Sequence, residues 1–284
     1  MVIQTNISQA KQLVQKARKN GKSVGFIPTM GALHEGHLSL VREAVDECGF
    51  VVVSIFLNPL QFSPKEDLSH YPRDFKSDRK LLKLAGADLL FYPQAKDFYP
   101  SGFSTYVEET HLSKVLCGKS RLGHFRGVCT VLVKLFNVIN PDIVYFGQKD
   151  YQQALIVRRL ISDLNFSLKM KILPIVRDKD NLALSSRNAY LNRSERKESL
   201  CIYEALALAK ELIDRGEKNT KKIVSTISKK ISSKKRAKID YIEIRNAENL
   251  NPLDKVTGKV LIALAVYIGK TRLIDNIVLN VKNK

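Results

Sequence analysis

Ser23-Val24-Gly25-Phe26-Ile27-Pro28 runs straight into Thr29-Met30-Gly31-Ala32-Leu33-His34-Glu35-Gly36-His37, and Leu38, Val41, Val45 and Cys48 follow before Gly49. The first six residues read as a short apolar strand, Gly31 breaks it, and the spacing of the later apolar residues is helical. Strand, glycine turn and helix make half of a parallel βαβ unit.

The same grammar extends in both directions. Upstream, Ala10, Leu13, Val14 and Ala17 share one helical stripe over residues 8–20, with Ser8 as the expected cap and Asn20-Gly21 as the stop. Downstream, Phe50 to Phe56 is an almost unbroken apolar run, as a strand buried on both faces requires. Helices are then expected over 74–84, 128–139 and 151–160, with strands at 87–92, 142–146 and 169–176. Such alternation predicts a Rossmann-like α/β domain over 1–176, a doubly wound parallel sheet with its ligand site at the carboxyl ends of the strands. Residues 177–284 read differently: a loop at 177–188, helices over 194–231, and strands near 239–244 and 260–268. They predict a smaller C-terminal α+β domain that carries a phosphate-binding loop at its start.

The 284 residues have the apolar and charged balance of an ordinary globular protein. No apolar run is long enough to span a bilayer and the N-terminus has no signal-peptide layout, so the chain is expected in the cytoplasm, with no membrane partner. Cys48, Cys117, Cys129 and Cys201 are widely spaced, which argues against a disulfide framework or zinc ribbon and for small buried hydrophobes. The net charge of +19 invites a nucleic-acid reading. Many of the lysines fall between Lys210 and Lys238 on a solvated helical surface, and no RNA-binding signature is present, so no nucleic-acid partner is expected.

The chemistry concentrates at strand ends. His34-Glu35-Gly36-His37 sits at the mouth of a helix, where backbone N–H groups and the helix dipole favour anions and two imidazoles three residues apart can face one phosphate. A metal pair would need the His-Glu-x-x-His spacing or a third ligand nearby, and neither is present. His70, His111 and His124 read as ordinary surface histidines. After strand 142–146 comes Gly147-Gln148-Lys149-Asp150, which brings Lys149 toward the same crevice to neutralise phosphoryl charge. Leu184-Ser185-Ser186-Arg187 offers two hydroxyls and a guanidinium as phosphate donors in a loop able to close over a ligand. Gln61, leaving strand 50–56, and Gln153 suit a hydroxy acid, with amide groups that both donate and accept.

Six ordered segments together resemble the pantothenate synthetase family of the nucleotidyltransferase superfamily: 28–37, 58–62, 71–73, 121–137, 146–153 and 182–191. Asp240-Tyr241 and the run from Ala265 to Asn276 extend the likeness into the second domain. The resemblance implies that pantoate and β-alanine are joined with ATP and Mg²⁺ through a pantoyl adenylate, releasing AMP and pyrophosphate. It implies ATP contacts from Met30, Gly31, Ala32, Leu33, His34, Glu35, Gly36, His37, Gly147, Gln148, Lys149, Asp150, Val176, Leu184, Ser185, Ser186 and Arg187. Gln61 would hold pantoate and approach β-alanine, and Gln153 would hold pantoate. His34, His37, Lys149 and Arg187 would be catalytic, with His37 as proton donor, and a homodimer is implied. Gln148 stands where many members are expected to carry Glu. Asp78 and Asp150 are candidate metal ligands, with none assigned. The competing reading is a related nucleotidyltransferase acting on a phosphorylated metabolite.

Overall fold

A computed structural model describes residues 1–63 and 66–282. Six parallel strands form the first sheet: β1 (Val2–Gln4), β2 (Val24–Thr29), β3 (Phe50–Ile55), β4 (Leu89–Phe91), β5 (Ile143–Gly147) and β6 (Lys169–Leu173), in the order β1-β4-β3-β2-β5-β6. From the edge strand β1 the chain enters the middle at β2, winds outward through β3 and β4, then crosses to β5 and β6 on the other side. This reversal of direction at β2 and β5 opens a crevice at their carboxyl ends.

Period-two alternation explains why helices cover both faces. Phe26, Val52, Leu89, Phe91, Val144 and Phe146 point into one core with α1 (Ile7–Lys19), α6 (His124–Ile139) and α7 (Tyr151–Asp163). Ile27, Val51, Val53, Leu90 and Tyr145 point into the other, under α2 (Glu35–Glu47) and α3 (Phe75–Leu84). The short helices α4 (Ala95–Phe98) and α5 (Cys117–Ser120) lie in the long connection between β4 and α6.

The remainder contains α8 (Arg193–Ser199), α9 (Cys201–Asp214), α10 (Thr220–Ser232) and an antiparallel sheet of β7 (Ala237–Asn246), β8 (Gly258–Ile268) and β9 (Thr271–Val281). On β8, Val260, Ile262, Leu264, Val266 and Ile268 pack into the core that α9 and α10 cover. The alternate residues Leu261 and Ala263 join the core of the parallel sheet, so this central strand serves both units. All four cysteines are free and buried, as their apolar reading requires. Lys210, Lys221, Lys222, Lys229, Lys235 and Lys238 are exposed.

Several expectations need correction. Helix α1 is capped by Asn6, whose side chain accepts the Gln9 N–H at 3.1 Å, and not by Ser8. Val45 is 40% exposed, while Leu40 and Ala44 complete the buried stripe of α2. Helix α6 begins at His124, four residues before the expected start, and β6 ends at Leu173 short of Val176. The edge strand β1 and the third C-terminal strand β9 were not anticipated. Among the described residues no helix is long and apolar enough to cross a membrane.

Candidate active site

At the end of β2 the chain turns through Gly31 (φ +87°) and Ala32 (φ +49°). The left-handed conformation at Ala32 is unfavourable for a residue with a Cβ, by about 1–2 kcal/mol. Asp78, buried on α3, offsets it by accepting the Ala32 and Leu33 N–H groups at 2.9 and 2.7 Å. Thr29 fixes the other side of the turn, donating its hydroxyl to Ser54 O at 2.7 Å. Both carboxylate oxygens of Asp78, one of the two candidate metal ligands, therefore hold the turn. Among the described residues no three His, Cys, Asp or Glu side chains group as a metal site.

His34 is the N-cap of α2 and accepts the Gly36 N–H at Nδ1 (3.2 Å), while His37 Nδ1 accepts the His34 N–H (3.3 Å). With both Nδ1 atoms acting as acceptors, each neutral ring carries its proton on Nε2. Desolvation, then the field of Lys149, lowers the His34 pKa to about 4. Desolvation, then His34 and Lys149, holds His37 well below the usual histidine range. The charge of Lys149 is thus felt at both rings, although its ammonium is paired with Asp150. Glu35 turns away, exposed and paired with Arg42, and can meet a ligand only through its backbone.

Between the two units lies a cleft of about 690 Å³, open at its mouth, lined by Lys149, Asp150, Gln153, Ser185 and Arg187 among others. The Lys149 ammonium is 3.4 Å from the exposed carboxylate of Asp150. The Leu184–Arg187 segment begins where Leu184 N–H donates to Val176 O (3.0 Å). Ser186 Oγ donates to Ala32 O (2.9 Å) and fastens this segment to the histidine turn. Ser185 Oγ accepts the Arg187 N–H (3.3 Å), which leaves its own proton available to a ligand. Arg187 makes a bidentate pair with Asp67, at 2.9 Å from Nε and 2.8 Å from Nη2.

Gln61 is buried against the histidine turn through Met30. Its Oε1 accepts from Asn58 Nδ2 (3.1 Å), which orients its NH₂ toward Met30 Sδ, a weak acceptor readily exchanged for a ligand oxygen. Asn58 is itself held by Tyr99 OH (2.8 Å) and by Gly127 O (3.0 Å). Gln153 lines the cleft with no hydrogen bond to its side chain among the described residues. Lys149, Gln153, Ser185 and Arg187 therefore share one opening, and Ser186 ties their segment to the histidine turn, while His34, His37 and Gln61 stand outside the residues that line it.

Residues 2–278 match the pantoate-β-alanine ligase family. The chain belongs to that family. Membership carries the activity: the chain joins pantoate to β-alanine. It is 50% identical over 281 residues to pantothenate synthetase of Caldicellulosiruptor saccharolyticus, spanning 99% of this chain and all of that protein. Identity to the Thermotoga petrophila pantothenate synthetase is 52% over 279 residues, 98% of this chain and all of the relative. Pantothenate synthetase from Thermus thermophilus superposes with a TM-score of 0.93 at 40% identity, covering both chains fully. The Francisella tularensis pantoate-β-alanine ligase, complexed with β,γ-ATP and β-alanine, gives 0.80 at 36% identity over 98% of this chain and 97% of that one.

Within this family frame, the surface reading of His124 is corrected. Its ring is buried at the start of α6 and lines the cleft; Nδ1 donates to Gln61 O (2.8 Å) and Nε2 accepts from Arg121 Nη1 (2.9 Å). Desolvation, then Arg121, lowers its pKa to about 3. The signal was present in the 121–137 segment of the family likeness, but a lone histidine has no local pattern that separates it from a surface one. Asp67, Asp275 and Asn276 were missed for the same reason: each gains its place only through long-range contacts.

Proposed function

We propose that this cleft activates the pantoate carboxylate with ATP, forms pantoyl adenylate with release of pyrophosphate, and passes the pantoyl group to β-alanine with release of AMP. The observation that carries the reading is the Ser186–Ala32 hydrogen bond, which fastens the Ser185–Arg187 segment, with Lys149 in the same cleft, to a turn bearing two histidines at a helix N-terminus. A carboxylate is a poor acyl donor, so the enzyme must align it with the α-phosphorus and stabilise charge on the departing pyrophosphate.

In this reading the backbone of Met30 to His37, Gly147 to Asp150, Val176, and Leu184 to Arg187 cradle ATP. His34 and His37 donate Nε2–H to phosphate oxygens, Lys149 supplies positive charge, and Arg187 exchanges Asp67 for phosphate. Because His37 is neutral, its part is hydrogen-bond donation rather than delivery of a resident proton. Gln61 and Gln153 hold pantoate, with Gln61 extending toward β-alanine. Closure of the two units excludes water and protects the adenylate from hydrolysis.

Mg²⁺ fits this arrangement. The ion commonly binds through one or two carboxylates with phosphate and water completing its shell, and exposed Asp150 supplies such an oxygen beside Lys149. Bound there with ATP, the ion would neutralise phosphate charge. The division at residues 176 and 177 is supported by the change from parallel to antiparallel sheet. A cytoplasmic location follows from the requirement for ATP, and pairing of two chains from the family resemblance alone, which sedimentation tests.

Exchange of labelled pyrophosphate into ATP, measured with Mg²⁺ and without β-alanine, tests the reading. Exchange that depends on pantoate is expected. Absence of exchange in folded, ATP-binding protein would overturn the adenylate.

A further inference from the structure

Strand β9 reaches across from the C-terminal sheet and places two consecutive polar residues, Asp275 and Asn276, in the interior. They are 2% and 3% exposed. Burial of such groups is costly unless every polar atom is partnered, so what they hold is informative. Asn276 Nδ2 donates to the carbonyls of Gln148 (3.1 Å) and Lys149 (2.9 Å), and its Oδ1 accepts from Gln148 Nε2 (3.3 Å). One side chain therefore grips the peptide backbone on which Lys149 stands, from a strand 127 residues away in sequence.

The grip is itself anchored. Asp275 Oδ1 accepts the Asn276 N–H (2.8 Å), and its two oxygens take Arg177 Nη1 and Nη2 at 2.6 and 2.9 Å. Arg177 opens the loop that leads to Ser185 and Arg187. Asp275 and Asn276 thus tie the lysine-bearing turn and the start of the serine–arginine loop to one strand. Gln148 adds a contact special to its residue type: its NH₂ donates to Asn276 Oδ1, which a glutamate carboxylate at this position could not do.

We infer that Asn276 is a positioning residue, which sets the backbone of Lys149 and so couples the seating of the C-terminal sheet to charge stabilisation at the phosphates. The inference rests on the role proposed for Lys149. Asn276 lines the same cleft, but its amide is committed to backbone and Gln148 partners; a ligand-facing ammonium displaced by about 1 Å can lose up to about 100-fold in rate, so this backbone grip has a kinetic signature.

A double-mutant cycle on the full chain tests it, using pantoate-dependent pyrophosphate exchange normalised to active sites by single-turnover adenylate formation. Asn276→Ala should slow exchange by about 10- to 100-fold while the pantoate KM moves less than about twofold. Combining it with Lys149→Ala should give a protein no slower than Lys149→Ala alone, because the grip acts only through that lysine. Asn276→Asp, equal in size, should be slower than Asn276→Ala, because it sets a carboxylate oxygen against two carbonyls; a residue that merely fills space would show the opposite order. If Asn276→Ala does not fold, Asn276→Ser, which keeps one donor, enters the same cycle. Multiplying losses, or a wild-type rate for folded Asn276→Ala, would overturn the inference while leaving the lysine's role standing. A wild-type rate for Lys149→Ala would overturn both.

Discussion

The rings of His34 and His37 lie 4.1 Å apart at their centroids, tilted by 35°, and each is held at Nδ1 by a backbone N–H of the turn they share. The capping of α2 and the aim of two Nε2–H groups are thus one arrangement. His37→Ala should reduce pyrophosphate exchange by about 100-fold or more, since a donor aimed at developing charge is lost. The lost cap bond should cost about 1 kcal/mol and lower the melting temperature by only a few degrees. Exchange at the wild-type rate in that variant would remove His37 from the chemistry.

Desolvated neutral histidines, His124 buried and His34 half-buried, make the protein acid-sensitive. His34 and His124 have folded pKa values of about 4 and about 3, against an ordinary value of 6.5. Below pH 6.5 the unfolded chain binds protons that the folded chain refuses, so their stabilisation is complete above pH 6.5. It is lost progressively as the pH falls toward 4 and then 3. Urea midpoints at pH 7, 5.5 and 4.5 should fall in that order. His124→Asn retains a donor for Gln61 O and an acceptor for Arg121, yet cannot titrate, so its midpoint should fall less steeply over the same window. An identical slope would mean that His124 contributes nothing and that the effect lies with His34, His37 and carboxylates such as Glu66 and Asp67, whose pKa values are also lowered.

Lys149 stands where strand β5 ends, close enough to depress both histidines. Lys149→Ala should raise the activation barrier for adenylate formation by about 2 kcal/mol, or roughly 30-fold in kcat/KM. Steady-state rates with ATP varied at saturating pantoate would measure it. A change confined to the ATP KM would recast the lysine as a ground-state contact only.

The strand-turn-helix at 23–49 was legible because its signals are local: β-branched runs, a glycine needing positive φ, and helical spacing. Local signals also explain the errors. Asp275-Asn276 interrupts the apolar alternation of β9, whose strand was not expected, and the place of a buried polar pair is set only by its partners across the cleft. Asp78 looked like a free carboxylate because nothing near it in sequence shows that it holds a turn 45 residues upstream. Ser8 and Asn6 are equally good caps by residue type, and only backbone geometry chooses between them. Lys149, Ser185 and Arg187 could be placed at one crevice from sequence because strand ends converge in this fold; that Arg187 is paired with Asp67 depends on a contact over 120 residues.

Gly127 on α6 packs against a backbone floor formed by Leu60 and Gln61. A Cβ there would lie 2.3 Å from Leu60 O and 2.6 Å from Gln61 N, distances no side chain can occupy without moving that backbone. Elsewhere in a helix, Gly→Ala should stabilise by up to about 1 kcal/mol. Here Gly127→Ala should instead destabilise by about 1–3 kcal/mol through overpacking. It should also raise the pantoate KM more than the ATP KM, because the displaced segment carries Gln61. Gln61→Ala should show the same kinetic bias without the clash, so the two variants separate loss of the amide from loss of its position. Melting temperature and the two KM values decide the matter. A stabilised Gly127→Ala protein with an unchanged pantoate KM would show that the floor yields freely and that Gln61 does not depend on where α6 holds it.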